Sequence, residues 1–300
     1  MVKSWEKENS KLYSHVVGDI KMNVTVSIDR LTIIGDIVKE RFEETIKNNH
    51  YGFIVRKGIA KYPYHSNFYM TDGSILQWTD VHTHRALRYD FNPNKIIKDK
   101  KENIHRRSVF DIIKTMKYPE FSRIDIAIDI RNVDLSQYQV IFDKSFKRNY
   151  WENGSRRLET LYLGSPKSSY RIRIYDKRLE QKSDDDMQWW RVEIQLRGEK
   201  VQEFMKHMNS FCIFNHLKFA KLPIQDIEDI QTRSMIYYLL NNPSEWNHIS
   251  KNTKTKYKKI ISELSKGHEI DIDELYKAES LRIRKELLLW LRIAERNNII

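Results

Sequence analysis

Cysteine is almost absent: one residue, Cys212, in a chain of 300. That excludes an internal disulfide and a cysteine-based zinc site, and it fits a reducing compartment. Glycine and proline are scarce, at 9 and 6 residues, so the chain lacks the composition of a flexible or collagen-like polymer. No apolar run approaches the ~20 residues a spanning helix needs. The N-terminal MVKSWEKENSKLYSH mixes charges of both signs and has no apolar signal-peptide core. These absences predict a soluble, unexported, cytoplasmic protein. Neither GxGxxG nor GxxxxGK(S/T) occurs, which argues against a dinucleotide or P-loop fold.

What is present is enough apolar matter for a substantial core, 40% of residues, and an excess of positive charge, 53 Lys and Arg against 41 Asp and Glu, net +12. With a pI near 9.4, the chain suits a polyanionic partner, because clustered cations displace counterions condensed on phosphates. Charge alone leaves ribosome-associated proteins, membrane-surface binders and ordinary basic enzymes open.

Periodicity orders the chain. Residues 1–23 are polar and lysine-rich and read as a loosely ordered arm. VTVSIDRLTIIG, from Val24, is β-branched and strand-like, and Val38, Phe42 and Ile46 follow at helical spacing. SNFYMTDGSILQWT reads as a hairpin around Asp72-Gly73, and RALRYDFNP as a strand stopped by Pro93. Lys95–Lys101 reads as a charged loop, SVFDIIKTM as a short helix, and Leu135, Tyr138 and Ile141 as one helical face. FSRIDIAIDIRN alternates strictly, with Ile124, Ile126, Ile128 and Ile130 on one face and Arg123, Asp125, Ala127 and Asp129 on the other. Strands interleaved with helices predict an α+β fold, an antiparallel sheet with helices packed on it. Strand signals fade beyond about residue 215. The chain reads as an arm (1–23), an α+β unit (24–215) and a helical C-terminal region (216–300).

Several constellations could carry chemistry. Asp125 and Asp129 share one strand face, and RVEIQLR puts Arg191, Glu193, Gln195 and Arg197 on one face of another strand. Carboxylates gathered from neighbouring strands hold a hard cation such as Mg²⁺ or Mn²⁺, so Asp125, Asp129 and Glu193 are candidate ligands and Asp90 a further one. The competing reading is a wet face of surface ion pairs, with Arg123 neutralising one acid. In YRIRIYDKRLEQ, Arg173, Tyr175 and Lys177 share a face. Cations beside a phenol favour phenolate, so Tyr175 could attack phosphorus while Lys177 and Arg173 steady the charge. Against that, strands favour tyrosine and the chain has 16. His82 and His84 in VHTHR are spaced like metal ligands but read as a surface pair. Cys212, in an apolar FCIF run, reads as core. Lys254, Lys256, Lys258 and Lys259 form the outer face of an amphipathic helix, either a DNA-binding surface or a solvated one.

SIDRLTIIGD, LRYDFNPNK, SRIDIAID, LYLGS, RIRIYDK and WWRVEIQLR, in that order, resemble the Rep_trans family of replication initiators, which start rolling-circle replication of small bacterial plasmids. The resemblance runs from about residue 24 to 215. It implies a catalytic domain of the Rep and relaxase type. The tyrosine at the position of Tyr175 would nick one strand of the double-strand origin, leaving a 5′-phosphotyrosine link and a 3′-OH primer. It further implies a divalent metal on acidic ligands, a dimer, supercoiled origin DNA with an extruded hairpin, and a host superfamily 1 helicase as partner. Two other readings remain. One is a relaxase of a conjugative or integrative element, which a separate N-terminal helix-turn-helix domain would favour. The other is a non-catalytic DNA-binding regulator, in which Tyr175→Phe would change nothing.

Overall fold

The computed structural model describes residues 13–17, 20–47, 54–70, 72–81, 84–98, 112–142, 147–154, 158–182, 187–266 and 269–295. The strands in chain order are β1 (Tyr13–Val17), β2 (Ile20–Asp36), β3 (Ile54–Ile59), β4 (Ser66–Met70), β5 (Ile75–Trp78), β6 (Leu87–Phe91) and β7 (Lys117–Arg131). They continue as β8 (Gln139–Ile141), β9 (Arg148–Glu152), β10 (Leu158–Leu163), β11 (Tyr170–Asp176), β12 (Trp189–Arg197), β13 (Lys218–Ala220) and β14 (Glu269–Asp271). The helices are α1 (Lys39–Lys47), α2 (Pro93–Lys98), α3 (Lys177–Gln181), α4 (Glu199–Lys206), α5 (Ile230–Asn241), α6 (Lys251–Ser265) and α7 (Ile272–Glu295).

The main sheet runs β3-β4-β5-β6-β2-β7-β12-β11-β10-β9, with β1 paired to the start of β2, and a small sheet runs β14-β13-β8. Every pairing is antiparallel. The chain is therefore α+β, an antiparallel sheet with helices packed on it.

Alternation explains the layering. Val24, Val26 and Ile28 of β2, the four isoleucines of β7, Val192 and Ile194 of β12, and Ile172 and Ile174 of β11 are all buried in one cluster. Each contributes roughly 1.5–3 kcal/mol by leaving water. Helix α7 lies across β7 and β2 on this apolar face. Its Ile283, Leu287 and Trp290 are buried, and Trp290 meets Phe91 edge-on at 5.1 Å. Helix α4 adds Val201 and Phe204 against β7 and β12. With this side covered, the opposite face of the central strands carries the polar residues.

Local details depart from the sequence expectations. Residues 13–17, assigned to a loose arm, pair with residues 20–24 as a hairpin, while residues 1–12 lie outside the described residues. Leu135, Tyr138 and Ile141 do not share a helix: Asp134 caps a single 3-10 turn by accepting from Ser136 N at 3.0 Å, and the β-branched Val140 and Ile141 then pair with β13. Lys95 lies in α2, where Asn92 accepts from Asn94 N at 2.9 Å and Pro93 takes the first position. Short strands β13 and β14 occur past residue 215, where none was expected. The hairpin at Asp72-Gly73 is present, with Gly73 at φ 81 and Ser74 N donating to Asp72 Oδ1 at 2.8 Å.

Candidate active site

Register builds the polar face. Across β11, β12 and β7, Arg173 stands opposite Glu193, and Glu193 opposite Ala127; one pair along, Tyr175 faces Arg191 and Arg191 faces Asp129. Gln195 stands opposite Asp125, which on its other side meets Arg30 of β2. The pairing of β2 with β7 slips between Ile28 and Arg30, so Asp29 is the extra residue of a β-bulge, a device that re-aims a side chain. It reaches over β7, and Arg191 Nη1 donates to its Oδ1 at 2.9 Å.

The carboxylates divide into two kinds. Asp129 is fully engaged: the Arg191 fork donates through Nε at 2.7 Å and Nη2 at 2.8 Å, and Trp189 Nε1 donates at 2.9 Å. Asp90 is likewise held, by Arg30, Arg88 and Thr32. Asp125 is buried at 1% exposure, paired with Arg123 and accepting from Gln195 Nε2 at 3.2 Å. Burial raises its pKa above the usual carboxylate value, against the pull of Arg123. Glu193 differs, since no described residue hydrogen-bonds its carboxylate. Burial, then the charges of Asp29 and Asp125, push its pKa up to about 7, with Arg173 and Arg191 opposing. Gln195 Oε1 is a buried acceptor without a partner among the described residues. Of the three expected ligands, Glu193 feels the charges of Asp125 and Asp29, while Asp129 is kept in an ion pair; among the described residues these carboxylates do not form a group whose donor atoms all lie within 4.8 Å of one another.

The sequence reading missed Asp29, although a signal for it existed. The apolar positions run 24, 26, 28 and then 31, 33; this break in a period-2 pattern marks a bulge. Removing the guanidinium that bridges half-buried Asp29 and buried Asp129 leaves the Asp129 carboxylate without its cation, so Arg191→Met is expected to cost about 3–5 kcal/mol in urea unfolding. A loss under about 1 kcal/mol would contradict the pairing's structural role.

The YDK motif has a local logic. Tyr175 is the penultimate residue of the strand, Asp176 ends it and caps the helix by accepting from Leu179 N at 3.1 Å, and Lys177 is the first helical residue. Lys177 Nζ donates to Tyr175 Oη at 3.5 Å and pairs with Glu180. The Arg173 guanidinium lies over the Tyr175 ring at 3.8 Å and meets Glu180 at 3.2 Å. Cations were expected to favour phenolate, but here burial wins. Tyr175 is 2% exposed, and desolvation raises its pKa above the ordinary tyrosine value, opposed by Arg191 and Arg173 and helped by Glu193 and Glu180. Arg171 Nε and Arg173 Nε are buried donors without acceptors among the described residues, oriented from the same strand face. In LYLGS, the glycine is structural: Gly164 has φ 101, and a Cβ there would lie 2.8 Å from Tyr170 O.

Elsewhere, Lys254, Lys256, Lys258 and Lys259 lie on α6, whose Ile261 is buried and whose N-cap is Ser250. Lys256, Lys258 and Lys259 are exposed. His84 meets the Tyr62 ring at 6.1 Å; its neighbour His82 lies outside the described residues. No described helix is long and apolar enough to cross a membrane.

Comparison with known proteins gives these residues a context. The family model of the Rep_trans replication initiation factors matches residues 119–261, which include Asp125, Tyr175, Glu193 and the α6 lysines. A replication initiation protein of Staphylococcus aureus is 33% identical over 222 residues, 71% of this chain and 66% of that one. A second from the same organism is 28% identical over 299 residues, 94% of this chain and 89% of that one. A solved rolling circle replication initiator protein of Geobacillus stearothermophilus is 17% identical, covers 62% of this chain and 78% of that one, and superposes with a TM-score of 0.41. The chain belongs to the Rep_trans family of replication initiation factors.

Proposed function

We propose that this chain initiates rolling-circle replication by binding a double-strand origin and nicking one strand with Tyr175, forming a 5′-phosphotyrosine link and freeing a 3′-OH. The observation that carries the reading is the grouping of Tyr175 and Lys177 Nζ, 3.5 Å apart, on one sheet face with Glu193, a carboxylate raised toward neutrality.

The residues act as follows. Arg173 and Arg171, each with a buried Nε lacking an acceptor among the described residues, bind the phosphates flanking the cleavage point. Tyr175 Oη gives up its proton to solvent and forms a bond to phosphorus as the bond to the 3′ oxygen breaks, and that oxygen takes up a proton from solvent. Lys177 and Arg191 stabilise negative charge on the phenolic oxygen, offsetting the burial that holds it protonated. The tyrosyl ester conserves the phosphodiester linkage, so the 3′-OH can later reverse the step. What supports a hard divalent cation here, Mg²⁺ or Mn²⁺, is the Glu193 carboxylate, which no described residue hydrogen-bonds, beside Gln195 Oε1, a buried oxygen without a partner among the described residues. Asp125, Glu193 and Asp29 would hold it by drawing closer than they stand and loosening the Arg123 and Arg191 contacts, with Asp129 left to orient Arg191. When bound, it supplies Lewis-acid polarisation of the scissile phosphate.

Supercoiled plasmid carrying the origin, incubated with the protein and Mg²⁺ or Mn²⁺, is expected to yield a nucleotide attached to Tyr175 by peptide mass spectrometry, lost with EDTA. An adduct on another tyrosine would overturn the site. Tight origin binding with neither nick nor adduct would favour a regulator, and strand transfer to a second cell would favour a relaxase. The proposed partners are origin DNA with an extruded hairpin, a second copy of the chain and a superfamily 1 helicase.

The 216–300 region supplies the origin contacts in this reading. Replacing Lys254, Lys256, Lys258 and Lys259 together by alanine is expected to flatten the slope of log K against log salt by about 3–4, since each phosphate contact contributes about 0.9. An unchanged slope would make that face merely solvated.

A further inference from the structure

Cys212 is not core. It lies half-buried in the loop between α4 and β13, and the fold brings to it two residues that sequence spacing could not connect. Its Sγ lies 3.1 Å from Oδ2 of Asp273, which is 61 residues away at the start of α7, and 3.6 Å from His216 Nε2. The three donor atoms all lie within 4.8 Å of one another. Around a tetrahedral zinc ion, with bonds of about 2.0–2.3 Å, neighbouring donors stand roughly 3.5 Å apart. The cluster is already near that spacing.

A second observation is independent of the donor distances. Asn215 and His216 are consecutive non-glycine residues in the left-handed region, with φ 51 and 60. Such backbone is uncommon for residues with a Cβ and persists where the surroundings fix it. Asp273, buried at 3% exposure, fixes it here by accepting from Phe214 N at 2.9 Å and His216 N at 2.7 Å. From β11, Tyr170 Oη donates to Ile213 O at 3.0 Å. The loop is thus folded back so that thiol, imidazole and carboxylate converge, while His216 stays exposed and leaves solvent access to a fourth position.

We propose that Cys212, His216 and Asp273 form a three-residue site for a zinc-type divalent metal, with water in the fourth position. Sulfur and imidazole select this metal class over Mg²⁺ or Mn²⁺, so the site is distinct from the carboxylates around Glu193. A hydrolytic cysteine relay is the wrong assignment, since Asp273 accepts from the thiol and from backbone, with no imidazole hydrogen bond to it. The bound ion would fasten the 212–216 loop to the first turn of α7, the helix that covers the apolar face of β7 and β2.

The test uses the full chain, stripped with chelator, reloaded with Zn²⁺ and freed of excess. One zinc per chain is expected by elemental mass spectrometry, with Co²⁺ giving a thiolate charge-transfer band and Zn²⁺ raising the thermal midpoint. Cys212→Ser and His216→Ala should each lower zinc affinity about 10²-fold or more and remove the thermal response, while Glu193→Gln keeps both. His216 is exposed, so its truncation leaves the core intact. No retained zinc in the wild type, full retention in both variants, or Co²⁺ binding without the band would each overturn the site.

Discussion

Tyr175→Phe is expected to abolish the protein–DNA adduct and lower nicking by at least about 10⁴-fold, since loss of a nucleophile removes the covalent route altogether. The substitution is clean in physical terms. Phenylalanine keeps the ring that packs under Arg173 at 3.8 Å and deletes only a hydroxyl whose one short contact is Lys177 Nζ at 3.5 Å. Lys177 retains Glu180 as a partner, so no buried charge is stranded. Unfolding stability should therefore change by less than about 1 kcal/mol, and origin affinity should be unchanged. The separation of the two readouts is what identifies a nucleophile. Nicking that survives at a tenth of the wild-type rate would place the chemistry on another residue. A fall in both nicking and stability would assign Tyr175 to packing.

The burial of Tyr175 shows where the sequence was informative. Alternation in β7 and β12 placed Asp125, Asp129, Glu193 and Gln195 on one side, because side-chain direction in a strand depends only on parity. The antiparallel, helix-covered sheet followed from the same parity and from hairpin turns such as Asp72-Gly73. Parity does not give register, however. Which acid meets which arginine depends on the pairing of strands up to 162 residues apart, as for Arg191 with Asp29. Asp129 therefore looked like a ligand and proves to be an ion-pair partner. Depth was equally hidden: Arg173 and Lys177 were visible as cations, but their effect on the phenol is outweighed by desolvation, a property of the whole fold. Cys212 read as core from its apolar neighbours, and nothing local announced Asp273 beside it.

Glu193→Gln should have opposite effects on activity and on the stability of the metal-free protein. Glu193 is pushed up to about 7, whereas an unperturbed glutamate titrates at about 4.3. Below the unfolded value both states are protonated and the residue is neutral toward folding. As pH rises toward 7, the unfolded chain ionises while the folded chain resists, so stability is progressively lost; above about 7 the loss is complete and constant. Glutamine has no such penalty. The metal-free variant should thus match wild type near pH 4 and exceed it at pH 8, by up to about 3 kcal/mol. Mg²⁺ or Mn²⁺ should reverse the order at pH 8, because a cation offsets the repulsion of Glu193 by Asp29 and Asp125 only where the carboxylate is present. Nicking should fall by about 10²–10³-fold, the scale of one lost transition-state electrostatic contact. Asp125→Asn should show a smaller gain in metal-free stability, since Arg123 already neutralises that carboxylate and would lose its partner. Equal stability of wild type and Glu193→Gln from pH 4 to 8 would mean that Glu193 is solvated and is no part of a metal centre.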